Sequence, residues 1–214
     1  MYAMSTETRS VIRDVQKLEE IAGAPNERAA NKARSVLDEL DRRWLAASPM
    51  VLVAAAGADA SCDVSPRDDP PGATLVLDER TIALPERPGN RRADGLRNIL
   101  ENPHVGLLYL VPGRGDTLRI NGTAELLDDA PFFDEMVVKG HRPRLAVLVH
   151  VEEVFYHCSK AFLRSALWDP ATWAPDDIPS RAQIAKALEA RGETLAELES
   201  YYGPGYADKI YRER

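Results

Sequence analysis

The feature that most constrains the fold is a series of short strand patterns between residues 49 and 156, with almost no helix among them. These patterns, each bounded by Gly, Pro or charged turn residues, cover residues 50–56, 63–67, 74–77, 81–84, 105–111, 117–127 and 146–155. Short strands joined by turns predict antiparallel pairing. A parallel, doubly wound sheet would need regular helical crossovers, whereas one helical pattern, over residues 93–101, interrupts the strands. The sequence therefore predicts a mainly β, α+β protein built on an antiparallel barrel.

Helical patterns flank the strands on both sides. Apolar residues at helical spacing predict a first helix around Val15 and Leu18 and a second that runs unbroken from about Ala29 to Trp44, within a helical region over residues 5–47. Further helices are predicted over residues 180–190 and 194–201. We therefore predict a helical N-terminal extension over residues 1–47, a barrel domain over residues 48–158 and a helical C-terminal tail over residues 159–214.

Composition and charge exclude several classes of partner. The net charge of −7 argues against nucleic acid or an anionic membrane as the main partner. The sequence contains no apolar run near the roughly 20 residues of a membrane span, and its first residues have no apolar signal core. The two cysteines, Cys62 and Cys158, have neither disulfide-framework nor zinc spacing. These observations predict a cytoplasmic protein with reduced thiols.

An arginine-rich segment over residues 84–103 offers a site for an anion. It contains Arg87, Arg91, Arg92 and Arg97 where a strand gives way to a helix start. Backbone N–H groups at a helix start favour anions, and arginine can bind phosphate oxygens bidentately. The alternative is an exposed helix start whose arginines form ion pairs, with the three carboxylates of Glu86, Asp94 and Glu101 as partners.

Motifs that carry a self-contained catalytic chemistry are absent from the sequence. It has no G-x-S-x-G, H-E-x-x-H, P-loop or G-x-G-x-x-G pattern. The four histidines lack metal-ligand spacing, so structural roles are expected for them. An enzyme of this kind would take its chemistry from a bound cofactor.

Several motifs in a characteristic order resemble the pyridoxamine 5′-phosphate oxidase-like flavoproteins, in particular a bacterial subgroup of FMN-dependent enzymes. The signatures are DVSPR (residues 63–67), the arginine-rich segment, NPHVGLLY (residues 102–109) and SKAFLRS with LWDP (residues 159–170). The resemblance extends from about Ala30 to Trp173. It implies a split β-barrel fold, a homodimer, and FMN bound in clefts at the dimer interface, with the C-terminal tail packed on the barrel or that interface.

The resemblance also implies a set of phosphate ligands. Arg91 and Arg92 stand where the family has a basic pair that holds the flavin phosphate, and Arg67 stands on the preceding strand. Ser65 and Asn90 would add uncharged hydrogen bonds. Several guanidinium groups can neutralise a phosphate that carries about −1.5 to −2 charges.

The alternative for Arg67 is a salt bridge at the strand edge with Asp68 or Asp69.

Other cofactor contacts follow from the same resemblance. Backbone groups of Leu84 and Pro85 would run beside the flavin ring. Thr117 and Arg119 would line the flavin cleft from one face of a strand. The remaining pair, Lys160 and Arg164, is spaced by one helical turn and would reach the flavin of the partner subunit. A solvated helix face is the alternative for that pair.

The predicted function is FMN-dependent oxidoreduction of a small organic molecule or oxygen, with NAD(P)H as one candidate electron donor. The tail over residues 173–214 lacks the arginine- and histidine-rich pattern of pyridoxamine phosphate oxidases, so vitamin B6 chemistry is not expected. No side chain is identified as catalytic, although Tyr109 and His157 are candidate pocket donors. The alternatives are a non-catalytic flavin- or haem-binding protein and a deazaflavin-dependent reductase.

Overall fold

A computed structural model of the protein describes residues 10–189 and 192–211. The chain separates into two compact units, Met1–Ala33 and Arg34–Arg214. Within the described part of the first unit, α1 is Val15–Ala22 and α2 is Glu27–Ala30. Each helix begins at a side-chain cap, since a carboxylate oxygen of Asp14 and the amide oxygen of Asn26 accept backbone N–H bonds. Residues 5–9 of the predicted helical region lie outside the described residues.

The second unit is organised around one antiparallel sheet, as predicted. Its seven strands, counted over the described residues, are β1 (Met50–Ala56), β2 (Cys62–Asp68), β3 (Leu75–Val76), β4 (Thr81–Glu86), β5 (His104–Leu110), β6 (Thr117–Leu127) and β7 (Leu145–His157). They lie in the order β2-β1-β5-β6-β7-β4-β3, and every neighbouring pair is antiparallel. Each predicted strand is present, with ends that differ by at most two residues.

Short helices connect and follow the strands. They are α3 (Glu39–Ala47), α4 (Asp94–Glu101), α5 (Lys160–Ser165), α6 (Arg181–Leu188) and α7 (Leu195–Tyr201), with 3₁₀ turns at Pro131–Met136, Pro170–Thr172, Pro175–Asp177 and Pro204–Lys209. Helices α4, α6 and α7 confirm the predicted ones, although Ala190, at the end of one predicted range, lies outside the described residues. The division of the chain at residues 47 and 158 remains a prediction.

The second predicted helix is wrong in one respect, because the chain between α2 and α3 is not helical. Arg34 instead exchanges two backbone hydrogen bonds with Val154 of β7, at 3.0 and 2.7 Å. A new helix then begins after Asp38, whose side chain accepts the N–H of Leu40, while Asp41 closes a capping box. Apolar spacing continues through this break, but the backbone pairing with a distant strand overrides it.

Burial on both faces of β4 positions the arginine-rich segment. Ile82 and Leu84 are buried in the main core, while Ala83 is buried in a smaller cluster with Phe133 and Ala146 on the opposite face. Successive strand residues alternate between faces, so both faces of β4 are held. The chain therefore leaves the sheet at Glu86 from a firmly packed strand.

Candidate functional site

A cavity of about 390 Å³ lies between β2, the end of β4 and the start of α4. It collects five of the predicted cofactor residues, namely Ser65, Arg67, Pro85, Asn90 and Arg92. The other lining residues are Asp63, Val64, Pro66, Glu86, Arg87, Pro88, Gly89, Asp94 and Gly95. We call this space the first cavity.

Arg67 lies on β2 and contacts three groups at the cavity wall. Its Nε donates to Oε2 of Glu86 at 2.6 Å, and Nη1 donates to Oγ of Ser65 at 2.8 Å and to the carbonyl oxygen of Pro66 at 3.1 Å. The carboxylate that Arg67 contacts is thus on β4, and the predicted alternative Asp69 pairs with Arg87 instead. The side chain of Asp68, the other predicted alternative, lies outside the described part of the structure. Arg67 already holds a carboxylate oxygen where it could hold a phosphate oxygen.

Glu86 lines the cavity, although the sequence predicted it only as an ion-pair partner at an exposed helix start. Burial raises the pKa of its carboxyl, and the attraction of Arg67 opposes this shift without cancelling it. The ionised form of Glu86 is thus less favoured here than in water. No pattern in the sequence separates Glu86 from the other acids of the segment.

Arg87 holds the arginine-rich segment in place. Its Nε donates to Oδ2 of Asp69 at 2.5 Å, and its Nη groups donate to the carbonyl oxygens of Met136, at 2.7 Å, and His141, at 3.3 Å. The side chains of Arg87 and Asp69 are 10% and 2% exposed. The same carboxylate accepts the hydroxyl of Tyr211 at 2.8 Å. Arg87 is therefore a structural anchor of the cavity wall.

The start of α4 forms another part of the wall. Ala93 stands at the cap position and provides no side-chain hydrogen bond to the first N–H groups of the helix. Arg92 is 78% exposed and pairs with Asp94, and its backbone N–H donates to Oδ1 of Asn90 at 2.9 Å. Arg97 also lies 3.6 Å from Asp94, so Asp94, one of the three predicted carboxylate partners, pairs with two arginines of this segment.

The third predicted partner of that surface cluster, Glu101, accepts the backbone N–H of Ala58.

The structure separates the two neighbouring arginines of the predicted phosphate pair. Arg92 lines the first cavity, whereas Arg91 lines a second cavity together with Arg142 and Arg144. Arg91 has a left-handed backbone conformation, with φ of 63°. The two residues share one chain segment but not one cavity.

Leu84 and Pro85 occupy the end of β4, opposite Val147 and Ala146 of β7. Leu84 is 2% exposed as a whole residue, so very little of it, backbone included, is open to solvent here. Both residues line a small cleft that also contains Tyr109. Burial raises the pKa of the Tyr109 hydroxyl, which lies 3.3 Å from Oγ1 of Thr74.

Thr117, Arg119, Lys160 and Arg164 are not among the residues that line the first cavity. Thr117 is buried and Arg119 follows it on the same face of β6, where its guanidinium lies 5.3 Å from the ring centre of Phe155. Lys160 and Arg164 are exposed on α5, which confirms that this segment is helical.

The beginnings of β6 and α5 lie close together. A Cβ on Gly115 would lie 2.8 Å from the Cβ of Ser159. Next to this contact, Trp168 donates its Nε1 hydrogen to the carbonyl oxygen of Arg114 at 2.7 Å, and its ring stacks on Phe162. Two pairs of predicted cofactor residues that lie outside the first cavity, Thr117 with Arg119 and Lys160 with Arg164, thus belong to two elements, β6 and α5, whose beginnings lie side by side.

The described residues present neither a cluster of metal ligands nor a membrane-spanning helix. Residues 10–189 and 192–211 contain no group of three His, Cys, Asp or Glu side chains that could hold a metal ion. None of the helices formed by these residues has both the length and the apolar character needed to cross a membrane.

Comparison with known proteins identifies the class to which this fold and site belong. The profile of the family described as pyridoxamine 5′-phosphate oxidase matches residues 37–158, more than half of the chain. The chain therefore belongs to the pyridoxamine 5′-phosphate oxidase family. The resemblance found in the sequence is confirmed, and the antiparallel sheet with its helices is the split-barrel fold of that family.

Individual solved structures are similar to this chain only at low sequence identity and with low TM-scores. A candidate pyridoxamine 5′-phosphate oxidase from Lactobacillus delbrueckii is 25% identical with a TM-score of 0.45, and 58% of this chain covers 98% of that one. HupZ from Group A Streptococcus is 16% identical with a TM-score of 0.46, covering 56% and 93% of the two chains. An FMN-binding protein from Syntrophomonas wolfei is 9% identical with a TM-score of 0.41, covering 56% and 89%. No curated protein gives a significant match.

Proposed function

We propose that the protein is an FMN-dependent oxidoreductase that binds the flavin phosphate in the first cavity. The observation that carries the proposal is the meeting of Arg67, Arg92, Ser65 and Asn90 at an uncapped helix start. Two guanidinium groups, an amide and a hydroxyl are suitable donors for phosphate oxygens, and helix N–H groups add to them. Arg91, the other member of the predicted basic pair, lines the second cavity and is not among the donors proposed here for the flavin phosphate.

The charges of the first cavity fit a phosphate only if internal ion pairs are exchanged. Arg67 forms an ion pair with Glu86, and Arg92 forms one with Asp94, so each arginine already binds a carboxylate. Asp63, a further lining residue, accepts a hydrogen bond from Asn98 at 2.9 Å. A dianionic phosphate would compete with Glu86 and Asp94 for the same donors. The weakened preference of Glu86 for its ionised form favours that exchange.

FMN, when bound, supplies hydride transfer at its ring, which the side chains of this protein cannot provide alone. The residues at the end of β4 would orient the ring edge through their backbone groups. In this proposal the protein is a homodimer, and Thr117, Arg119, Lys160 and Arg164 act on flavin at the interface. The substrate is a small organic molecule or oxygen, NAD(P)H is a candidate donor, and the protein works in the cytoplasm.

Replacing Arg92 by alanine is expected to weaken FMN binding by about tenfold to a hundredfold. Riboflavin, which lacks the phosphate, should bind the variant and the wild type equally. Titration of apoprotein by flavin fluorescence measures both affinities. Arg97→Ala is the matched control, because Arg97 contacts the same Asp94 and is 72% exposed outside the cavity.

Two results would contradict the phosphate assignment. Equal loss of FMN and riboflavin affinity in Arg92→Ala would show damage to the fold or to ring contacts. Equal effects of Arg92→Ala and Arg97→Ala would show a general charge effect. The absorption spectrum of the purified protein tests the alternatives, since flavin bands near about 370 and 450 nm and a haem Soret band are readily distinguished.

Replacing Glu86 by glutamine is expected to strengthen FMN binding about fivefold at pH 8. The substitution removes a negative charge that competes with the phosphate for Arg67, and this competition is expected to cost roughly 1 kcal/mol of binding free energy. Since burial raises the pKa of Glu86, the wild type should approach the variant as the pH falls and Glu86 takes up a proton. Measuring FMN affinity between pH 5 and 8 gives the ratio of the Glu86→Gln affinity to the wild-type affinity. Protonation of the FMN phosphate affects both proteins alike and therefore cancels in this ratio. A ratio that stays at one throughout would show that Glu86 does not compete with the phosphate.

A further inference from the structure

A second cavity, of about 430 Å³, shares residues 86–89 as a wall with the first. Its polar lining is dominated by cations: Arg87, Arg91, Arg142 and Arg144 line it together with His141 and Tyr211. Among the described residues that line it, Glu86 is the one carboxylate, and Asp129 and Asp134 pair with Arg142 from outside the lining. In a protein of net charge −7, this concentration of guanidinium groups creates a local site for an anion.

Three of these arginines can take part in binding. Arg87 is held by Asp69 and two carbonyl groups, so it contributes only a fixed charge. Arg142 pairs with Asp129 and Asp134, whose side chains are 73% and 77% exposed. Exposed ion pairs of this kind contribute little free energy, so a ligand can displace them. Arg91 and Arg144 also line the cavity and are exposed there.

The backbone at Arg91 provides an independent observation. Its φ of 63° lies in the left-handed region, which is strained for a residue with a side chain. This conformation accompanies the separation of Arg91 from Arg92, so that each lines a different cavity. This backbone conformation therefore accompanies the placement of the Arg91 side chain at the second cavity rather than at the first.

An aromatic surface borders the same cations. The rings of His141 and Tyr211 stack with centres 5.8 Å apart and planes 14° apart. The hydroxyl of Tyr211 is held by Asp69, which fixes the position of this surface. Cations beside a flat aromatic surface suit a phosphorylated organic molecule, because arginine binds phosphate oxygens bidentately and the rings can pack against its carbon skeleton.

We propose that the second cavity binds the phosphate group of a small molecule other than the cofactor. Arg91, Arg142 and Arg144 are the phosphate ligands, and His141 with Tyr211 forms the adjoining wall. The proposal does not require FMN in the first cavity. It therefore stands or falls separately from the proposed function.

Calorimetric titration of the protein with inorganic pyrophosphate tests this site. Arg91→Gln and Arg144→Gln are each expected to weaken binding at least about tenfold, since each removes a charge-assisted contact. Arg43→Gln, which removes an equally exposed arginine on α3, should leave binding unchanged. Pyrophosphate that also enters the first cavity would give a second binding step, which Arg92→Gln removes without affecting the first step.

Three results would overturn the proposal. These are no binding to the wild type at millimolar pyrophosphate, equal weakening by Arg43→Gln and Arg144→Gln, or binding that responds to Arg92→Gln alone. If a glutamine variant fails to fold, Arg144→Lys retains the charge but lacks the bidentate fork, and it should still bind more weakly than the wild type. Loss of the FMN effect of Arg92→Ala with the Arg144 effect retained would reject the proposed function and leave this site intact.

Discussion

Replacing Arg34 by alanine is expected to lower the free energy of unfolding by about 3 kcal/mol, because it leaves a buried carboxylate without its cation. The guanidinium of Arg34 donates two hydrogen bonds to Asp41, at 2.7 and 2.9 Å. The Asp41 side chain is 0% exposed, whereas that of Arg34 is 37% exposed. The expected loss lies at the lower end of values for buried pairs because Asp41 keeps the backbone N–H of Asp38 at 2.8 Å.

The effect of this substitution should depend on pH in a defined direction. Burial opposes ionisation of Asp41, but the hydrogen bonds from Arg34 and Asp38 outweigh it and lower the pKa of the carboxyl. A carboxyl with a lower pKa in the folded state stabilises the protein above its unfolded pKa of about 3.9. The stabilisation is lost as the pH falls through the folded pKa. The difference between wild type and Arg34→Ala should therefore be largest near pH 7 and shrink below about pH 4.

Urea unfolding at pH 7 and at successively lower pH measures both parts of this expectation. Arg43→Ala on α3 serves as the control, and as an exposed substitution it should change stability by no more than about 0.5 kcal/mol. Equal losses for the two variants would mean that the Arg34–Asp41 pair behaves as a surface pair. A loss that does not change with pH would assign the effect to packing of the arginine stem.

A mixed dimer should reveal whether the flavin site is shared between subunits. We expect a dimer of one Arg67→Ala, Arg92→Ala subunit and one Lys160→Ala, Arg164→Ala subunit to bind one FMN with wild-type affinity. The second FMN should bind at least about a hundredfold more weakly, a loss of about 3 kcal/mol or more for two contacts on each side. The reason is that one composite site would contain all four substitutions and the other none.

Two different affinity tags isolate the mixed dimer, and FMN titration counts its tight and weak sites. The matched control pairs a wild-type subunit with one that carries all four substitutions. If the sites are shared, both sites of this control are weakened, whereas separate sites would leave one intact. Two equally weakened sites in the mixed dimer would show that each subunit binds FMN with its own residues, and light scattering at the chain mass of 23.7 kDa would reject the dimer itself.

The strands could be predicted because their signal is local. In β1 and β5 the sequence has a short apolar run bounded by turn residues, which predicts a strand, and alternate residues such as Val51, Val53 and Leu107 are buried. The prediction of one unbroken helix from about Ala29 to Trp44 failed because the interaction that breaks it is not local. Arg34 pairs with Val154, which is far away in sequence, and no spacing rule within residues 27–47 contains that partner.

The candidate site likewise has a part that the sequence predicts, its residues, and a part that only the structure shows, their contacts. Motif resemblance predicted Ser65, Arg67, Asn90, Arg91 and Arg92 as one group. The structure brings four of them to one cavity and places Arg91 at the adjoining one. It was not sufficient to predict the partners of the arginines. Arg67 contacts Glu86 because β2 and the end of β4 border the same cavity, a relation that depends on the order of strands in the sheet.

The sequence by itself determined that the chain forms antiparallel strands with few helices between them and that its positive charge collects after the fourth strand. Those properties depend on the periodicity and composition of neighbouring residues. Only the tertiary structure decided that Arg87 is buried against Asp69, that Arg92 lines one cavity and that Arg91 lines another. Like charges in one segment are chemically equivalent until the fold gives each its own carboxylates, carbonyl groups and exposure to water.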